Sequence, residues 1–198
     1  MILMKQTLDY YDINALGFFE STIRVDMESL YQPFLRYLPD KAFILDLGCG
    51  SGRDTLAFNN KVHQVAATDY SKELVDKACQ LTGINVRFES FYELSELNKY
   101  DGIWACASLL HCERKRLPEV LEKILKALKV NGICYMSFKY GAGDRYKDGR
   151  QFTDMDESQT QSLLKKFDNI LLLQQWITID KRPNHNEDWL NIVFQKRI

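Results

Sequence analysis

The chain has 198 residues, with 26 lysines and arginines against 27 aspartates and glutamates for a formal net charge of −1. That length fits one domain with a real core, and a 45% apolar share excludes a disordered chain. The even charge balance supplies no electrostatic drive toward nucleic acid, although a local basic patch would escape such an average.

Residues 1–5, Met-Ile-Leu-Met-Lys, are too short for a signal peptide, and no apolar run approaches the ~20 residues that span a bilayer. The expectation is a cytoplasmic protein, monomer or homodimer, with no membrane partner. Segment 1–40 carries two aromatic pairs, Tyr10-Tyr11 and Phe18-Phe19, and a helical stretch near residues 27–37. Too short to be a domain, it reads as a cover over the remainder, so that 1–198 is a single domain with its core at 41–198.

From residue 42 onward, apolar strands alternate with amphipathic helices. Residues 42–46 form a buried strand that runs into Asp46-Leu47-Gly48-Cys49-Gly50-Ser51-Gly52. Residues 62–68 are a second strand, ending at Asp69. Ser71 then caps a helix whose apolar positions Leu74, Val75, Ala78 and Leu81 recur at three- and four-residue spacing until Gly83 stops it. Short strands follow at 85–88 and 100–105. Only Glu89 to Lys99 separates them, so any helix there is short or absent.

Pro118 opens a helix at 117–128 with Val120, Leu121, Ile124, Leu125 and Leu128 on one face, and Asn131-Gly132 is expected to end it. A fifth strand at 133–138 leads into residues 139–150, whose glycines, aromatics and mixed charges read as a mobile loop and a substrate lid. A helix at 154–167 and two strands at 170–179 and 188–195 complete the chain. With no helix between them, those last strands form an antiparallel pair at one edge. Residues 180–184 make the turn, and a possible second wall of an entrance. The fold class is α/β: an open, doubly wound, mostly parallel sheet with an antiparallel edge strand.

Cysteines 49, 79, 106, 112 and 134 are odd in number and irregular in spacing, which reads as reduced thiols. There is no C-x-x-C pair, and His111-Cys112 lacks a second pair at ligand spacing, so no metal is expected.

In doubly wound folds, ligands sit beyond the carboxyl ends of the strands. Glycines let the backbone after the first strand turn sharply and approach a ligand closely. A dinucleotide fingerprint wants a third glycine three residues after the second. Arg53 or Thr55 stands there instead, depending on the pair chosen, which argues against a nicotinamide-dependent dehydrogenase. Asp46 would repel phosphates but suits a ligand with a cationic amine. Asp69, at the second strand's end, can accept two hydroxyl hydrogen bonds at once.

Ile44-Leu45-Asp46-Leu47-Gly48-Cys49-Gly50-Ser51-Gly52 resembles motif I of the class I S-adenosylmethionine-dependent methyltransferases, and the similarity extends over roughly residues 40–140. Gly-Ser-Gly-Arg-Asp at 50–54, with Ser-Leu-Leu-His at 108–111, resembles the tellurite-resistance-type small methyltransferases. The resemblance implies a Rossmann-like, seven-stranded methyltransferase domain with S-adenosylmethionine as cofactor. It lays Gly48, Cys49 and Gly50 along the methionine and ribose, and Asp46 against the methionine amine. Asp69 then binds the ribose hydroxyls, with Tyr70 beside the adenine and Ser71 also in the cofactor site. Glu89, Ser90, Phe91 and Leu110 fall near the adenine, and Ala105 and Cys106 near the sulfonium. Arg53 would suit the ligand carboxylate. No catalytic residue is compulsory, and His111 is the candidate general base. Tyr10, Tyr11, Phe18 and Phe19 either pack the N-terminal segment or form an aromatic wall; Trp104 is a core aromatic. The implied reaction moves a methyl group to N, O or S of a small-molecule acceptor. A nucleic-acid or protein acceptor, or a non-catalytic module that binds S-adenosylmethionine, are the alternatives.

Overall fold

The computed structural model describes residues 2–198. Three helices come first, α1 (Ile2–Ile13), α2 (Ala15–Thr22) and α3 (Glu28–Leu35). The sheet begins with β1 (Phe43–Leu47), α4 (Arg53–Asn60), β2 (Gln64–Asp69), α5 (Lys72–Thr82), β3 (Arg87–Phe88) and β4 (Tyr100–Ala105). It continues through α6 (Leu117–Ala127), β5 (Leu128–Lys139), the hairpin β6 (Asp144–Lys147) and β7 (Arg150–Thr153), α7 (Glu157–Leu164), β8 (Ile170–Ile179) and β9 (Asp188–Lys196).

Seven strands form one sheet in the order β3-β2-β1-β4-β5-β9-β8, with β6 and β7 as a separate pair. Strands β1 to β5 are parallel to one another, and β9 runs antiparallel to both β5 and β8. The late pair therefore lies at one edge, with β9 on its inner side. Order reverses between β1 and β4, which places the glycine loop and the end of β4 side by side at the switch point.

The two sheet faces are filled differently. One is aliphatic, with Leu121, Ile124 and Leu125 of α6 against Leu45, Ile103 and Met136. The other is aromatic. Trp104 stacks on Tyr135 at 3.8 Å between centroids, and Tyr31, Phe34 and Phe58 surround the indole. Phe34 and Phe58 are fully buried, each contributing on the order of 2–3 kcal/mol. The residues around this face come from α3, α4, β4 and β5, so it also ties the N-terminal segment to the sheet.

Ser71 caps α5, accepting from the Leu74 N–H, and Gly83 ends that helix at φ 69°. No helix lies between β3 and β4. Other local expectations shift. The sixth helix ends at Ala127, because Leu128 already pairs with Tyr100; Asn131, at φ 65°, and Gly132 form an irregularity inside β5. The seventh helix is shorter than expected and starts after Asp156, which forms a capping box with Gln159. Residues 139–150 are not an irregular connection. They hold the end of β5 and most of the β6–β7 hairpin, whose β7 packs on α1. Among the described residues, no helix is long and apolar enough to cross a membrane.

Candidate active site

A cavity of about 350 Å³ opens at the carboxyl ends of β1, β2, β4 and β5. Its floor is the glycine loop and its roof is α1 and α2. The β6–β7 hairpin and the β8–β9 turn close the far side.

Gly48 and Gly50 adopt φ of 79° and 55°, values that side chains other than glycine rarely hold. A Cβ on Gly48 would lie 2.5 Å from Ser108 Cβ, and one on Gly50 would lie 3.0 Å from the Phe18 ring. The loop is thus wedged between the end of β4 and the roof, with bare backbone on the cavity. Asp69 stands beside it, partly exposed. One carboxylate oxygen accepts from the Gly50 N–H at 2.8 Å and the other from the Ser71 N–H at 2.9 Å. The Tyr70 N–H adds to these two in favouring the ionised form. Burial raises the Asp69 carboxyl above its ordinary value.

Ser71 donates through its hydroxyl to Asp12 at 2.6 Å, which pins α1 to the start of α5. Glu89, Ser90, Phe91, Cys106 and Leu110 line the same cavity, as do Cys49, Arg53 and Tyr70. Ser108 Oγ is buried there without a hydrogen-bond partner. A polar atom left so is costly, unless a ligand completes it.

Two expected contacts fall elsewhere. Asp46 lies behind the loop, 2% exposed, and accepts from the Thr55 hydroxyl at 2.6 Å. Burial, reinforced by nearby Asp54, pushes its carboxyl well above the usual range, and it is not among the residues that line the cavity. Ala105 is fully buried within β4, and the chain reaches the wall only at Cys106. Arg53 is at the wall, but its guanidinium is forked onto Asp54 at 2.6 and 2.9 Å.

Asp54 is the residue that local pattern concealed. Fully inside the fold, it also accepts from Tyr31 Oη at 2.7 Å and Trp104 Nε1 at 2.8 Å. Four donors hold it ionised despite its burial, with Arg53 the foremost favourable influence. In the sequence it is only an acid in a first helical turn. Its partners lie 23 and 50 positions away.

His111 sits at the cavity, but not as a free base. Its Nδ1 is 2.7 Å from the Gln151 carbonyl oxygen and its Nε2 is 2.8 Å from the Tyr11 hydroxyl. A carbonyl only accepts, so Nδ1 carries the proton and Tyr11 donates to Nε2. Burial, with Arg150 and Lys139 adding to it, pushes the imidazole down to about 4. His111 therefore orients Tyr11, and the general-base assignment is corrected to that role. Tyr11 and Phe18 meet edge to face at 5.2 Å and both line the cavity, which makes them its aromatic wall. Trp104 is core.

Across the cavity, Lys139 of β5 pairs with Glu187, and Arg182 forks onto Asp180, which also accepts from Trp189 Nε1 at 3.2 Å. Asp180, His185 and Glu187 have ligand atoms within 4.8 Å of one another. Both carboxylates are already held by cations, so a metal would have to break two built ion pairs.

Residues 44–132 match the family model described as a methyltransferase domain, a stretch running from β1 through the first turn of β5. No curated protein matches the chain in sequence. Among solved structures, the chain is similar to a Burkholderia thailandensis 1,6-didemethyltoxoflavin-N1-methyltransferase with bound 1,6-didemethyltoxoflavin and S-adenosylhomocysteine. That likeness has a TM-score of 0.79 and 21% identity, and covers 100% of this chain and 88% of that one. It is similar also to an S-adenosylmethionine-dependent methyltransferase of Leishmania major (TM-score 0.75, 16% identity, 96% and 82% covered). A third is the magnesium protoporphyrin IX methyltransferase of Synechocystis with bound S-adenosylmethionine (TM-score 0.73, 14% identity, 99% and 98% covered). At these identities the likeness is one of fold. The glycine loop and the strands that frame it fall within the match to a methyltransferase domain, and the whole chain shares the fold of S-adenosylmethionine-dependent methyltransferases.

Proposed function

We propose that residues 1–198 form one methyltransferase domain that binds S-adenosylmethionine under α1 and α2 and methylates N, O or S of a small molecule. The observation that carries the donor site is Asp69. Its carboxylate is held at the cavity by the N–H groups of Gly50 and Ser71, with Tyr70 adding to them, and its remaining acceptor capacity suits the hydroxyls of a ribose. Gly48 to Ser51 would hold the methionine portion, and Glu89, Ser90 and Phe91 the adenine. The orphaned Ser108 hydroxyl fits a polar ligand at the same wall. When bound, S-adenosylmethionine supplies a methyl group already activated on a sulfonium.

The protein's own residues then align and enclose. Tyr11 and Phe18 cover the loop and exclude water. Tyr11, its proton committed to His111, turns its oxygen lone pairs to other partners. With His111 Nε2 already accepting from the Tyr11 hydroxyl, the reading favours an acceptor that is nucleophilic as bound. A small acceptor suits a cavity roofed on three sides by this chain's own elements. The likeness to a methyltransferase with bound 1,6-didemethyltoxoflavin and to a magnesium protoporphyrin IX methyltransferase supports it. All five cysteines are unpaired, which suits a reducing cytoplasm.

Methyl-labelled S-adenosylmethionine incubated with the protein and fractionated cell extract tests this. Label is expected in the small-molecule fraction. Label confined to protein or nucleic acid would overturn the acceptor class, and binding without any transfer would leave a donor-binding module.

A further inference from the structure

Three arginines line the cavity, and two are spent: Arg53 is forked onto Asp54, and Arg182 onto Asp180. Arg150, at the start of β7, is different. Its Cζ lies 4.0 Å from the Tyr10 ring centroid, 5.1 Å from Phe152 and 5.9 Å from Tyr11. The nearest carboxylate oxygen belongs to Asp148, 3.7 Å away on an exposed side chain. Its Nε is buried with no hydrogen-bond partner. Aromatic rings engage the faces of a guanidinium; the Tyr11 hydroxyl and Asp148 stand beside its terminal donors, and Nε is the donor left without a partner. A partly desolvated cation in that state is costly unless a ligand anion completes it.

The surroundings are flat and hydrophobic. Tyr11, Phe152 and Trp189 supply rings at this side of the cavity, and Lys139 Nζ lies 5.2 Å from the Phe152 centroid, its charge already met by Glu187. Building on the methyltransferase reading, we propose that Arg150 is the anion-recognition residue of the acceptor subsite. The acceptor is then a planar aromatic or heteroaromatic molecule bearing a carboxylate or an ionised ring oxygen. An anion could also come from the donor, whose methionine end carries a carboxylate, so the test separates the two sources.

Calorimetry with isosteric pairs, nicotinate against nicotinamide and salicylate against salicylamide, is run with and without S-adenosylhomocysteine. The acids are expected to bind about 10-fold or more tighter than the amides, the return of one charge-assisted pair. Arg150→Gln should bring acid and amide within about 2-fold, and Arg150→Lys should restore part of the preference, with S-adenosylhomocysteine affinity unchanged in both. Equal binding of acid and amide by the native protein would overturn the proposal, as would failure of both acids at millimolar concentration. So would a preference that survives Arg150→Gln. Loss of S-adenosylhomocysteine affinity in Arg150→Gln, with unchanged affinity for 5′-methylthioadenosine, would move the anion to the donor and overturn it too. If the native protein binds no S-adenosylhomocysteine, the methyltransferase reading fails, while the acid–amide comparison still decides this one.

Discussion

His111 holds one proton, on Nδ1, between the Gln151 carbonyl and the Tyr11 hydroxyl, and the fold resists giving it a second. The sign of the pH effect follows. With a folded value of about 4 against an ordinary 6.5, the unfolded chain binds more protons between those limits, so this histidine's contribution to stability is lost as pH falls from 6.5 to 4. Asp46 works in the opposite direction, since its raised carboxyl costs stability as pH rises above the ordinary carboxylate range. Comparison with His111→Gln isolates the histidine, because the amide can donate to Gln151 and accept from Tyr11. Between pH 7 and pH 5 the wild type should lose about 2 kcal/mol relative to that variant in urea denaturation. A gap that does not move with pH would put the ring outside the buried pair. Its role was hidden in the sequence, because both partners come from distant segments and a lone histidine after a strand end looks like a base. Asp69, by contrast, was legible: it ends a strand, follows the glycine loop at a fixed remove, and sits where described.

At the scale of elements, α4 shows how the loop is braced. Its first turn supplies Arg53 and Asp54, and Asp54 then gathers Tyr31 of α3 and Trp104 of β4 around one carboxylate. Asp54→Ala leaves Arg53 buried and unpaired and strands two further donors, so it should cost about 3–5 kcal/mol, read as a lowered denaturation midpoint. Arg53→Met with Asp54→Leu removes both charges and should recover part of that loss; a single variant as stable as wild type would contradict the hub. Strands and helices with local signals were readable: Ser71 and Gly83 bound α5, and Pro118 opens α6. The β6–β7 hairpin was not. Its four-residue strands are polar, and what holds them is α1, more than 130 residues away, through contacts such as Thr7 Oγ1 with the Gln151 N–H at 3.1 Å. The same remoteness kept Arg150 from view, since nothing near it in the chain says that Tyr10 and Tyr11 will pack on it.

For the whole molecule, the alternation of strand and helix was enough for the doubly wound sheet and its late antiparallel pair, because buried parallel strands and amphipathic helices leave few other arrangements. The roof was read only as a cover. Its specific closure rests on long-range contacts: Asp12 to Ser71, Phe18 over Gly50, and Tyr11 to His111. Together they close the cavity between the glycine loop and the segment that precedes it. The most direct test is a calorimetric titration of S-adenosylhomocysteine into the native protein and Asp69→Ala. Saturable one-to-one binding is predicted, weakened by about 2 kcal/mol, or roughly 30-fold, in the variant, as loss of charge-assisted hydrogen bonds requires. No binding to the native protein at millimolar ligand, or equal affinity in the variant, would contradict it.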